Sequence, residues 1–271
     1  MKKLFAWMLA IVMVASLTAC GTDAGETTAA SEAVSTEAKT TGETAADETT
    51  AAETTAVETA ETWADALATE DVTFTLAAGG FLMVEAQKLS VTDADGDGVF
   101  TLDEVLTSAH DAFYEGGAAA GYKSEESEYG RSVVMLWGEE NGGAFSFCCD
   151  NNPCMSITEE IPAGSSVYAY SFSDLTAFSD EYSFFTLVSQ SDSEITLQLS
   201  AITYDENFNP VTTPVSGASI IINYEDSGIV TDADGNATIP VTEDMTSFGG
   251  AIVSATSDTV TLVPPIYVIN G

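Results

Sequence analysis

The chain has 271 residues, with 43 acidic groups against 6 basic ones and a single histidine, for a formal net charge of −37. A field of that sign repels phosphate backbones and anionic lipid head groups and attracts cations, which excludes nucleic acid as a partner. The length suffices for two ordinary domains.

Lys2 and Lys3 precede an apolar run from Leu4 to Ala15, too short to span a bilayer and shaped like a signal-peptide core. It ends in Leu17-Thr18-Ala19-Cys20, which resembles the lipobox of bacterial lipoproteins, where the cysteine is acylated and becomes the first mature residue. An ordinary secretory peptide explains the small residues but leaves Cys20 a coincidence. Residues 1–20 are therefore expected to be a lipoprotein signal peptide and lipobox. Acyl chains on Cys20 would hold the protein to the outer face of the bacterial membrane, each buried methylene contributing roughly 0.8 kcal/mol. Loss of Lys2 and Lys3 would leave four basic groups against 43 acidic ones.

Residues 21–62 are Thr, Ala, Glu and little else, with no aromatic residue before Trp63. Such a segment buries too little apolar surface to offset the entropy of ordering it, and its charges repel each other. A disordered tether is expected.

From Asp71 the pattern turns periodic. Val72, Phe74 and Leu76 alternate as in a half-buried strand, and a second strand, Phe81 to Val91, leads into Asp93-Ala94-Asp95-Gly96-Asp97-Gly98-Val99-Phe100-Thr101-Leu102-Asp103-Glu104. This reads as an EF-hand-type calcium loop. Such a loop uses side-chain oxygens at positions 1, 3 and 5, a carbonyl at 7, a water-bridged group at 9 and a bidentate carboxylate at 12. Asp93, Asp95, Asp97, Val99, Thr101 and Glu104 stand at those places, with Gly98 at the sharp turn of position 6. Calcium takes roughly six to eight hard oxygen ligands, so four converging carboxylates suit it. The competing reading, an acidic surface turn, accounts for the Asp/Gly content but not for Gly and Glu together at positions 6 and 12. Leu102, Val105, Leu106, Ala109 and Phe113 then recur at helical spacing up to Gly116-Gly117. Strand–loop–helix, with no entering helix and no partner loop, describes a structural clamp more than a switch.

Phe145–Cys149, Val167–Phe172 and Ser183–Val188 read as further strands around the turns Asp150-Asn151-Asn152 and Pro162-Ala163-Gly164. Cys148, Cys149 and Cys154 are an odd number outside the membrane. A Cys149–Cys154 bridge and free apolar thiols both remain open, while metal binding lacks any Cys-x-x-Cys pair.

Asp93–Glu104, Gly130, Leu136-Trp137-Gly138, Asn141-Gly142-Gly143-Ala144-Phe145, Asn151-Asn152 and Asp180–Phe185 together resemble modules of gut clostridial surface proteins related to the transcobalamin-like C-terminal domain. The resemblance covers roughly 71–188 and implies a small α+β fold; in transcobalamins that domain caps a corrinoid. Where the family has an aromatic and a Val-Asn turn, this chain has Cys148, Cys149 and Asp150. The resemblance leaves Trp137, Phe145 and Phe147 as candidate pocket residues, against the plainer reading that they are core.

From Glu194 onward, Ile195/Leu197/Leu199, Ile220/Ile222, Ile239/Val241, Ile252 and a Val260–Ile269 segment mark short strands separated by turns, the pattern of a β-sandwich. Pro214–Ala218 and Gly228–Thr238 resemble immunoglobulin-like or carboxypeptidase-regulatory-like modules. Asp232-Ala233-Asp234-Gly235-Asn236 imitates a second calcium loop with Glu243 at position 12, but Ala237 replaces the turn glycine, so a hairpin turn is expected.

The expected architecture is an α+β domain at 63–190 followed by an all-β, immunoglobulin-like sandwich at 194–271, behind the disordered tether. No nucleophile elbow, zinc-protease helix or phosphate loop occurs, so the chain is expected not to be an enzyme. The function expected is that of a lipid-anchored, cell-surface calcium-binding protein whose module binds a small molecule, a glycan or a protein. The alternatives are a purely structural stalk or S-layer-like element and, more distantly, a carboxylate hydrolase.

Overall fold

The computed structural model describes residues 68–247 and 250–270. The expectations for the signal peptide, Cys20 and the 21–62 tether lie outside them. Strand accounts for 51% and helix for 10%, so the fold is β-rich. Among the described residues no helix is long and apolar enough to cross a membrane.

The described residues open with β1 (Thr69–Ala78) and β2 (Phe81–Thr92), an antiparallel hairpin closed by Gly79-Gly80 at φ +57° and +81°. Two positive φ values in a two-residue turn match the right-handed strand twist, and glycine reaches them without Cβ strain. After the acidic loop come α1 (Leu102–Phe113) and the single turn α2 (Ala118–Gly121). A hairpin of β3 (Lys123–Ser127) and β4 (Gly130–Met135) follows, then β5 (Phe145–Cys149), the two-residue β6 (Asn152–Pro153) and β7 (Ser166–Ser171). These build a mixed sheet in the order β2-β1-β7-β5-β6, where β1 and β7 run parallel. Leu102, Val105, Leu106 and Ala109 of α1 are fully buried and join Phe74, Leu76, Val91 and Val167 of the sheet in one core.

The second half comprises β8 (Glu181–Gln190), β9 (Glu194–Tyr204), β10 (Pro210–Pro214), β11 (Ser219–Ile222), β12 (Glu225–Val230), β13 (Asn236–Pro240), α3 (Glu243–Ser247), β14 (Ala251–Thr256), β15 (Leu262–Val263) and β16 (Tyr267–Ile269). One sheet runs β10-β9-β8-β15, with β13 also on β9; the other runs β12-β11-β14-β16. Ile195, Leu197, Leu199 and Ile239 from the first sheet meet Ile220, Val253 and Ile269 from the second in a common core. Every second residue of β9 and β14 points inward, as period-2 patterning requires.

Three expectations are corrected. Ser183–Val188, read as the last strand of the first domain, lies within β8, which pairs with β9 from Ser183↔Ala201 to Gln190↔Ile195. Residues 191–193, the expected junction between the domains at 63–190 and 194–271, are therefore the turn of the β8–β9 hairpin, where Ser191 N–H donates to the Glu194 carbonyl at 2.8 Å. The reason is that β8 serves both halves: Phe185 enters the sandwich core, whereas Tyr182 packs with Ala77, Cys148, Tyr168, Tyr170, Ile202 and Val263. Tyr168 adds a 2.5 Å bond to the Pro264 carbonyl and Ser183 a 2.7 Å bond to the Val263 carbonyl. The described residues accordingly lie in one compact unit. Second, the single segment expected at Val260–Ile269 is broken by Pro264-Pro265, which lack ladder N–H groups, and its halves go to different sheets. Third, the turn at Asp232–Asn236 connects strands of different sheets, so it is not the tip of a paired hairpin.

Candidate metal centre

The acidic loop is held rigidly at both ends. At its entry, Asp93 N–H donates to the Ala68 carbonyl at 3.0 Å, and Thr92 N–H reaches Ser108 Oγ on α1 at 3.2 Å. At its exit, Thr101 is the N-cap of α1 and forms a capping box with Glu104. The first free N–H groups of that helix, on Leu102 and Asp103, donate to the Glu159 and Ile157 carbonyls at 3.0 and 2.8 Å. A helix N-terminus with its donors satisfied this way is a fixed platform.

Between these anchors the loop folds around carboxylates. Asp93, only 3% exposed, accepts from Gly96 N–H at 2.8 Å and Gly98 N–H at 3.0 Å through its two oxygens. Asp95 accepts from Asp97 N–H at 3.2 Å, and Asp97 from Val99 N–H at 2.7 Å. Gly98 stands at φ +84° with open space where a Cβ would go. Oxygens from Asp93, Asp95 and Asp97 all lie within 4.8 Å of one another, the one group among the described residues suited to holding a cation. At that spacing two unit charges repel by about 1 kcal/mol in water and by more than about 3 kcal/mol near a protein interior. The N–H donors offset part of this, and a divalent cation would remove it.

Glu104 stands outside that trio. Its Oε1 accepts from Ala94 N–H at 2.7 Å and its Oε2 from Thr101 N–H at 2.9 Å and Thr101 Oγ1 at 3.0 Å. The carboxylate thus lies across the mouth of the loop, bound to both of its ends. Thr101 is spent on capping, and Val99 contributes its N–H to Asp97. Beside the loop lies a cleft of about 730 Å³ lined by Asp95, Glu104, Asp103, Asp111 and Arg131. There Asp103 accepts from Tyr122 Oη at 2.5 Å and from Arg131 Nη1 at 2.9 Å, pairing the only cation of the cleft. Sequence periodicity missed this trio because its members lie up to 28 positions apart.

The aromatic candidates share one core, Phe147 within it and Trp137 and Phe145 packed against it, but they do not line one pocket. Phe145 and Phe147 line a small depression of about 160 Å³ with Cys154 and Met155. Trp137 packs outside that depression, edge-on to Tyr114 at 5.0 Å and against the His110 ring at 5.2 Å. His110 is fully buried, its Nδ1 bonded to the Leu106 carbonyl at 2.6 Å and its Nε2 accepting from Trp137 N–H at 3.0 Å. Burial holds its pKa below the usual value. A neutral ring with both nitrogens engaged is a structural histidine and offers neither a free base nor a ligand.

All three described cysteines are free thiols. Burial is the leading cause raising each pKa, and pushes Cys154 up to about 12. Thiols held protonated are poor nucleophiles and poor metal ligands.

No protein-family model matches this chain, and no curated protein matches it either.

Proposed function

We propose that the protein is a cell-surface, lipid-anchored module that binds calcium in the Asp93–Glu104 loop and uses its β-rich body, without catalysis, to bind a ligand or adhere. The observation that carries the reading is the convergence of Asp93, Asp95 and Asp97 within 4.8 Å on a loop anchored at both ends. Glu104, at position 12, needs only to trade its N–H partners for an ion to close the site. A helix on a mixed sheet supports an α+β, transcobalamin-like first half; two facing sheets with a shared core support an immunoglobulin-like second half. Acylation of Cys20 in the lipobox-like Leu17–Cys20 would hold the module outside the cell. The purely structural alternative draws support from the tyrosine-rich joint around Tyr168 and Tyr182, which would make the two halves a rigid rod.

Calcium that binds only the folded form stabilises it by mass action. Extracellular loops of this class have Kd values of roughly 10⁻⁴–10⁻³ M, so millimolar calcium nears saturation. At ten times Kd the gain is about 1.4 kcal/mol, roughly 3–6 °C in Tm for a body of this size. Differential scanning calorimetry with calcium and with chelator measures it. An unchanged Tm would refute calcium binding.

A further inference from the structure

Away from the acidic loop, the β1–β2 turn overhangs the outer face of the β11–β14 sheet and encloses a cleft of about 630 Å³. Its chemistry is unlike the rest of the molecule. No charged side chain lines it, in a chain with 43 acidic groups. Its floor is Ile221 and Ile252, which point away from the sandwich core, with Ser254 and Thr256 following on the same face of β14. Two exposed aromatics stand on its rims: Phe81, 73% exposed, beside the Gly79-Gly80 turn, and Tyr224, 68% exposed, on the β11–β12 turn.

The Tyr224 rim is firmly mounted. Asn223 and Tyr224 sit at φ +48° and +67°, a two-residue turn of the same hand as Gly79-Gly80. Non-glycine residues seldom adopt this conformation unless the surroundings impose it. Here Asn223 clamps β14, its N–H donating to the Ile252 carbonyl and its Oδ1 accepting from Ile252 N–H, each at 2.9 Å. Tyr224 is thereby fixed beside the cleft floor.

We propose that this cleft is a binding site for a neutral carbohydrate, seated between Phe81 and Tyr224. The volume is within the ordinary range for a ligand site. Uncharged walls offer an ionic ligand no ion-pair partner, and the negative field of the surrounding chain repels an anionic one. The hydroxyls of Ser254, Thr256 and Thr261 bond no group among the described residues, so they remain available to a ligand. An apolar floor, flat aromatic rims and free hydroxyls match a sugar ring, which has C–H faces and a hydroxyl edge. An extended peptide is disfavoured, because β11 and β14 each pair on both sides and present no open backbone ladder.

This inference rests on reading the chain as a binding module, but not on its calcium loop. The test is isothermal titration of the full chain with neutral oligosaccharides of glucose, galactose, mannose and N-acetylglucosamine, alongside sialylated and sulfated counterparts. At least one neutral sugar should bind, with the anionic forms at least about ten-fold weaker. Tyr224→Ala and Phe81→Ala should each weaken binding about ten-fold or more, and Tyr224→Phe should preserve it; both positions are exposed, and circular dichroism checks their folding. Binding should persist in chelator and in Glu104→Gln, so loss of the calcium effect alone would leave this site standing. No neutral sugar binding with a Kd below about 1 mM, or binding indifferent to both alanine variants, would overturn the proposal. Equal binding of anionic sugars, or capture of aromatic hydrocarbons in place of sugars, would overturn the ligand class.

Discussion

Two loops of this protein carry nearly the same acidic spacing and do different things. In Asp93–Glu104 three carboxylates face one another, Gly98 turns in open space, and a glutamate spans the mouth. In Asp232–Asn236 the first aspartate also accepts loop N–H groups, its Oδ1 from Asp234 and Asn236 at 2.9 and 2.8 Å, but no trio of carboxylates converges there. Those bonds, led by that from Asn236, hold the carboxyl below its usual pKa. Gly235 is packed tightly there, a Cβ at that position meeting the Leu199 carbonyl at 2.5 Å. The first loop is an open cup held from outside, the second a packed connector between sheets. Spacing of acids alone does not make a cation site; the carboxylates must also be turned towards one another.

The sharpest way to break this contrast is at its glycines. Gly235→Ala adds a backbone clash to a left-handed φ of +77°, and should cost about 3 kcal/mol or more, independent of calcium. Urea unfolding with and without calcium measures it; a cost below that of Gly98→Ala would reverse the assignment of the packed loop. Glu104→Gln should remove most of the calcium-dependent rise in Tm, whereas Asp232→Asn should leave it intact. Calorimetry that found the opposite would move the site to the second loop. Gly98→Ala, with free space but φ +84°, should cost about 1–2 kcal/mol and blunt the calcium effect as well.

A smaller effect separates the helix-bearing half from the sandwich. His110 favours its neutral form in the fold, so the unfolded chain binds a proton first as pH falls. Its contribution is complete above the unfolded value of about 6.5 and is lost as pH falls from there towards the lower folded pKa. Tm should decline through that window, and the slope should flatten in His110→Gln. An unchanged slope would remove His110 from the account. The proposed anchor would act independently of both loops: Cys20→Ser should release the protein from membranes, and an unacylated wild-type Cys20 by mass spectrometry would refute the anchor.

Local chemistry made much of the first half readable from sequence. The β1 alternation, the acidic loop, α1 with its buried Leu102, Val105, Leu106 and Ala109, and β5 at Phe145–Cys149 are each written in contiguous residues. The β3–β4 hairpin was not legible because Lys123–Ser127 is polar on both faces and carries no period. Nor was β10, which is bounded by prolines at both ends and largely exposed.

By itself the sequence determined the net charge, the loop with its glycine turns and carboxylates, and the strands and helix whose period sorts one face inward. Only the tertiary structure decided that β8 belongs to both halves, that Phe145 and Phe147 line a depression Trp137 does not reach, and that Phe81 and Tyr224 flank one cleft. Period and turn chemistry act within a few residues. Which strand edge satisfies another's N–H groups, and which side chains fill the resulting space, depends on contacts between distant parts of the chain.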